Sequence, residues 1–182
     1  TAAGYKVEDL IPYLAYVDKD GKMQDVMFDS FLFLFMSKFP SGGYPYANGV
    51  KSDWEWALND VFGDGKNIKA LDEAAALVKK ELGLPEDYKY KVILSLYYPS
   101  PEVTNFGDVD GDGVSENLSK YEDTMKAIEW YINLTENKFN DQNFQNIELV
   151  SYYWFHETIN AEDGMSLRVL NATSELVHQK GK

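Results

Sequence analysis

Residues 91–98, KVILSLYY, form a short apolar and aromatic run, charged on its upstream side and followed by Pro99 and Pro101. Eight residues are too few for a buried helix and suit a strand. Two similar runs flank this Lys91 to Tyr98 segment, Asp25 to Phe35 and Ile147 to His156, with strand starts about 60 residues apart. The segments between and after them have helical period. Ser52 and Glu55 have capping-box spacing ahead of Trp56, Leu58 and Phe62. Ile68, Leu71, Ala74, Ala75, Val78 and Leu82 share one helical face, which Gly83 and Pro85 end. Ser119 and Glu122 repeat the capping-box spacing before Met125, Ile128, Tyr131 and Ile132. A last helix over about 165–179 turns Leu167, Leu170, Thr173 and Val177 inward.

The order β-α-α-β-α-β-α predicts an α/β fold of parallel βα units joined by right-handed crossovers. Three units cannot close a barrel, which takes eight strands and typically about 250 residues. The expectation is therefore an incomplete (β/α)-barrel-like (TIM-barrel-like) architecture, with residues 1–182 as one domain and the N-terminal part of a larger barrel. Upstream, the Asp20-Gly21 turn folds LAYVDKDGKMQDVMF back on the first strand. Val7 to Leu14 suits a short helix disturbed by Pro12.

Composition narrows the function. The chain has 182 residues and no cysteine, which excludes disulfides, thiolate metal sites and cysteine nucleophiles. Its 17 basic against 30 acidic residues give a net charge of −13, the opposite of a nucleic-acid footprint. The longest apolar run, Phe31 to Met36, is far short of the roughly 20 residues a membrane span needs. Nucleic acid and membrane insertion are thus not expected. Aromatic residues make up 15% of the chain, with 13 Tyr, 10 Phe and 4 Trp, which suits either an aromatic core or a site that stacks flat sugar faces.

In parallel α/β folds the working groups sit at the carboxyl ends of strands. The third run ends YYWFHET, which places Glu157 beside His156 and close to Trp154 at that rim. Glu157 is the candidate general acid/base, or else a capping carboxylate. Asp29 is the candidate second carboxylate, an acid within an apolar run that must be paired if buried. Tyr97 and Tyr98 end the second run and either orient a substrate or pack the core. The 36–53 loop, rich in Gly, Pro and Tyr, should overhang the same rim and ends at Asp53 and Trp54. Trp54 reads as either a sugar platform or a helix-packing ring. With Asp29, Tyr97, Tyr98, Trp154 and His156, Asp53 and Trp54 complete the candidate substrate-contacting set.

The loop DVDGDGVSE carries Asp108, Asp110, Asp112 and Glu116 at positions 1, 3, 5 and 9 of a calcium loop, with Gly113 at position 6. Position 12 is Ser119 instead of a bidentate Glu. Either these four acids hold a structural calcium or the loop is a solvated Asp/Gly turn. No other cofactor is required.

The strings PYLAYVDKDGKMQDVMFDSFLFL, KSDWEWALNDVF, VILSLYYPSP, NFGDVDGDG, WYINLTENKF and LVSYYWFHETI, together spanning about residues 10–178, resemble a bacterial family known as domain of unknown function 4855. FDSFLFL, SDWEW and YYW-x-x-E are specific in combination. The resemblance implies secreted or surface proteins of polysaccharide-using bacteria, with a glycosidase-like (β/α) barrel and an oligo- or polysaccharide partner. It also implies a family domain longer than this chain, with the C-terminal half missing here; that half or a second copy would be needed to bury the open sheet edges. Two functions follow as expectations: a glycoside hydrolase-like domain with Glu157 as acid/base, or a non-catalytic carbohydrate-binding or scaffold module.

Overall fold

The computed structural model describes residues 4–159 and 164–182. The chain opens with helix α1 (Val7–Leu14), which contains Pro12, and then an antiparallel ribbon of β1 (Ala15–Val17) and β2 (Met23–Val26). The Asp18 carboxylate accepts the backbone N–H groups of Asp20 and Lys22 and so fixes the turn between them. The long run at 25–35 is thereby split. Its beginning belongs to β2, whereas β3 is only Ser30–Phe33 and lies in a different sheet from the ribbon.

Two helices follow, α2 (Lys51–Val61) and α3 (Asn67–Leu82). Helix α2 starts before Ser52, and its N-terminus is closed by Asp53, which accepts the Val50 N–H at 3.0 Å. The buried stripe is also rotated from the expected one, with Trp54, Ala57, Leu58 and Val61 inward and Trp56 exposed. Helix α3 matches its periodicity: Ile68, Leu71, Ala74, Ala75 and Val78 are buried. Gly83 ends it at φ 63°, a left-handed conformation that glycine adopts without Cβ strain.

The remaining order is β4 (Tyr90–Leu96), α4 (Tyr121–Asp141), β5 (Ile147–Trp154) and α5 (Gly164–Gln179). Ser119 does not cap α4; its N–H and hydroxyl both donate to the Asn117 side chain. In α5 Val169 and Thr173 are buried, Val177 is half-buried and Leu167 is exposed.

Strands β3, β4 and β5 form a parallel sheet in that order. Phe31 pairs with Val92 and Val92 with Leu149, a row on the packed face. Leu32 pairs with Ile93 and Ile93 with Ser151, on the opposite and more open face. The pairing shifts after Val92, leaving Val150 as an extra residue that reverses the alternation along β5. The architecture is mixed α/β with a small three-stranded parallel sheet and helices. Among the described residues no barrel closes, and β3 and β5 are open edges.

Candidate functional site

The carboxyl ends of β3, β4 and β5 carry three loops. Tyr98, just beyond β4, donates its N–H to the Pro45 carbonyl at 3.0 Å, so the 36–50 loop does reach this rim. Beside Pro45 the rings of Tyr44 and Tyr46 stack at 5.3 Å between centroids with planes 15° apart, and both are exposed. Lys38 Nζ lies 6.0 Å from the Tyr44 ring centroid. The Tyr98 ring stacks on His156 at 3.8 Å and 11°. Trp154 is half-buried and shares a small cleft with Tyr98, Pro99, Pro101 and Met165. Glu157 follows at once, exposed and in a left-handed backbone conformation with φ 55°.

That conformation is informative. Asn67 and Asn143 are the other non-glycine residues with positive φ among the described residues, and asparagine tolerates this region. Glutamate does not, and holding it there costs roughly 1 kcal/mol or more. Such strain collects where a side chain is held for use.

Asp29 is not at this rim. It precedes β3 at the amino end of the sheet, where its carbonyl accepts the Lys91 N–H. The carboxylate is exposed, and it accepts from Lys91 Nζ at 2.9 Å and from the Ser30 hydroxyl at 2.8 Å. Lys91 first and Ser30 second hold its pKa below the usual aspartate value. Neither Ser95 nor Ser151 bonds to it; the Ser95 hydroxyl donates to the Phe33 carbonyl. Lys91 is level with Glu148, so the rise of β5 from Glu148 to Trp154 sets Asp29 and Glu157 apart by about 20 Å. Paired glycosidase carboxylates lie about 5–9.5 Å apart. Asp29 therefore cannot partner Glu157, and the reading of a buried catalytic Asp29 is corrected to a surface ion pair.

A lowered pKa means that the pair stabilises the fold above the ordinary aspartate range and loses that contribution as pH falls through the lowered value. Asp29→Asn is expected to lower stability by at most ~1 kcal/mol at pH 7, because both groups are solvated. The difference from wild type should shrink in acid melts as pH falls below the ordinary aspartate range and through the lowered value.

Three further members of the candidate substrate-contacting set, Trp54, Tyr97 and Asp53, lie in the interior. Trp54 is 0% exposed, with ring neighbours Phe106 at 4.9 Å, Tyr131 at 5.2 Å and Tyr97 at 5.8 Å. No sugar reaches it. Gly49 permits this packing, since a Cβ there would lie 2.6 Å from the Phe39 ring and 2.8 Å from Trp54 Nε1. Tyr97 is also core, and its hydroxyl bonds to that of Tyr131; burial pushes both phenols well above their usual pKa. Asp53 is buried and does structural work, accepting the Ser41 N–H at 3.1 Å and the Ser41 hydroxyl at 2.5 Å besides the Val50 N–H. It pins the 36–50 loop to α2. Its signal in the sequence is an acid three residues after a helix start.

In the acidic loop, carboxylate oxygens of Asp108, Asp110 and Glu116 lie within 4.8 Å of one another, and Asp112 is outside that group. Asp108 accepts the Gly111 and Gly113 N–H groups, with Gly113 the larger cause of its lowered pKa. Lys126 pairs with Asp110 and lowers its pKa, while buried Glu116 accepts the Val109 N–H at 2.9 Å. Among the described residues these three acids stand close enough for one oxygen of each to face a common point.

No helix among the described residues is long and apolar enough to cross a membrane. Comparison with curated proteins and with solved structures finds no match. Comparison with protein families matches residues 1–182 to Domain of unknown function (DUF4855), so the chain belongs to the DUF4855 family.

Proposed function

We propose that the carboxyl rim of the parallel sheet is a carbohydrate-binding face. The observation that carries this reading is the pairing of two aromatic stacks, the exposed Tyr44 with Tyr46 and the half-buried Tyr98 with His156, on loops joined by the Tyr98–Pro45 hydrogen bond. Pyranose rings present flat C–H faces that rest on such rings, and nearby polar groups fix their orientation. Glu157, Lys38 and the Tyr hydroxyls would supply those groups. The reading also fits an extracellular, polysaccharide-facing domain. Titration with cello-, xylo- and chito-oligosaccharides tests it. Tyr46→Ala and Tyr98→Ala should each weaken the best ligand about tenfold, since one ring stack is worth up to ~1.5 kcal/mol. A panel in which neither variant changes affinity removes the reading.

The strained φ of Glu157 favours a second reading, glycoside hydrolysis with Glu157 as general acid/base. The partner carboxylate would come from outside the groups assigned above. Glu157→Gln should then cut turnover 10²–10⁴-fold while leaving oligosaccharide affinity within a few-fold. Glu157→Gly should melt no lower than wild type, because relief of the left-handed strain offsets the backbone entropy glycine adds. Retained turnover in the Gln variant excludes Glu157 as the acid.

A structural calcium held by Asp108, Asp110 and Glu116 belongs to the same proposal; Lys126 would release Asp110 to admit it. Calcium at about 100-fold over its dissociation constant should then stabilise by ~2.7 kcal/mol, about 5–10 °C in melting temperature. An identical melting temperature in chelator and in calcium leaves only a turn.

A further inference from the structure

Among the described residues, strand β3 has a partner on one side only. Along its free side runs a groove of about 660 Å³ lined by every residue from Ser30 to Ser37, odd and even alike, so the groove follows the strand edge and not a single face. Its far wall is Tyr13 of α1 with Asp60 and Val61 of α2. The side chains along it are unusually apolar for an open surface: Tyr13 is 53% exposed, Phe28 52%, Leu32 40%, Leu34 45% and Met36 64%. Together they leave roughly 600 Å² of largely apolar area in water, at the upper limit for the largest patch on a monomer. With the strand backbone and half-buried Phe31 and Phe33 added, the surface approaches the ~800 Å² that each partner contributes to a standard interface.

Open edges in natural sheets are guarded by Pro, Lys, bulges or inward charges. Residues 30–36, SFLFLFM, contain none of these residue types. The carboxylates beside the groove are already neutralised, Asp29 by Lys91 at 2.9 Å and Asp60 by Lys66 at 2.6 Å. Two copies of a chain with net charge −13 can therefore meet here without bringing bare charges together. A twofold axis at a strand edge pairs the strand antiparallel with its own copy, an arrangement that closes after two subunits.

We infer that the β3 edge is the homodimer interface of this protein, with β3 pairing antiparallel to β3 of a second copy and Leu32, Leu34 and Met36 covered by the partner.

Sedimentation of the full chain over 1–100 μM tests this. The expected result is a species of twice the 20.8 kDa chain mass, with a dissociation constant in the micromolar range or below. Leu32→Lys/Leu34→Lys should weaken dimerisation at least 100-fold with an unchanged circular dichroism spectrum, since both side chains are already exposed in the single chain. The absence of cysteine allows a geometric test. Leu32→Cys should oxidise to a disulfide-linked dimer, because residues opposed across an antiparallel pair lie within bridging distance. Leu77→Cys, exposed on α3, should not. A monomer at 100 μM, as expected if the groove takes some other strand, overturns the inference. So does a dimer that survives the double Lys substitution, equal cross-linking at Leu77→Cys, or an assembly that grows without closing at two.

Discussion

Trp54→Ala is expected to lower stability by about 3–5 kcal/mol, the usual cost of deleting a large buried aromatic side chain. For a domain of this size that is a fall of roughly 10–15 °C in melting temperature. The ring is enclosed by Phe106, Tyr131 and Tyr97, and Phe39 closes on it through Gly49, so little can collapse into the hole. Its Nε1 is buried and finds no hydrogen-bond partner among the described residues. Trp54→Phe removes that unsatisfied donor along with part of the ring, so it should cost much less than the Ala substitution, about 1–2 kcal/mol. Thermal melts of the two variants check the ordering. If Trp54→Ala melted like wild type yet lost oligosaccharide binding, Trp54 would be a ligand platform and the packing described above would be wrong.

Asp53→Ala is expected to cost about 3 kcal/mol, because it strands the Ser41 N–H, the Ser41 hydroxyl and the Val50 N–H at a buried site. The damage should also reach the rim. Asp53 is what fastens the loop bearing Tyr44 and Tyr46, so limited proteolysis should cut within 36–50 faster in the variant, at temperatures where α3 and α4 remain folded. Asp53→Asn, which keeps one acceptor oxygen, should fall between Ala and wild type. Equal cleavage in all three chains would mean that the loop is held by its other contacts, such as the Tyr98–Pro45 hydrogen bond.

Helix α3 was legible from its apolar period and Gly83 because both signals are local. Strands β4 and β5 were legible for the same reason, as was the turn at Asp20-Gly21. The first apolar run was misread at its centre. MQDVMFDSFLFLF has strand propensity throughout, yet its first residues pair with β1 and its last with β4, and only those partners show that the chain changes sheets near Asp29. The two capping boxes failed differently. Ser52 and Ser119 have the right spacing, but Asp53 takes the Val50 N–H and Asn117 takes Ser119, and a competing acceptor one or two residues away is not resolved by spacing. In α2 the aromatic positions 54 and 56 compete for the interior, and packing against Tyr97 and Tyr131 selects Trp54.

The site was partly legible. That the 36–53 loop overhangs the strand ends followed from its place after a strand, and the Tyr98–Pro45 bond agrees. The stacked Tyr44 and Tyr46 carried no sequence signal beyond their spacing around one proline.

By itself the sequence determined the alternation of helices and strands and the parallel sense of the sheet, and it excluded thiol chemistry, because periodicity, punctuation and composition act within a few residues. Which groups meet was decided by tertiary structure alone. The level of Asp29 along the sheet, the extra residue Val150 and the burial of Trp54 all depend on pairing between segments some 60 residues apart, and that pairing sets the carboxylates at opposite ends of the strands.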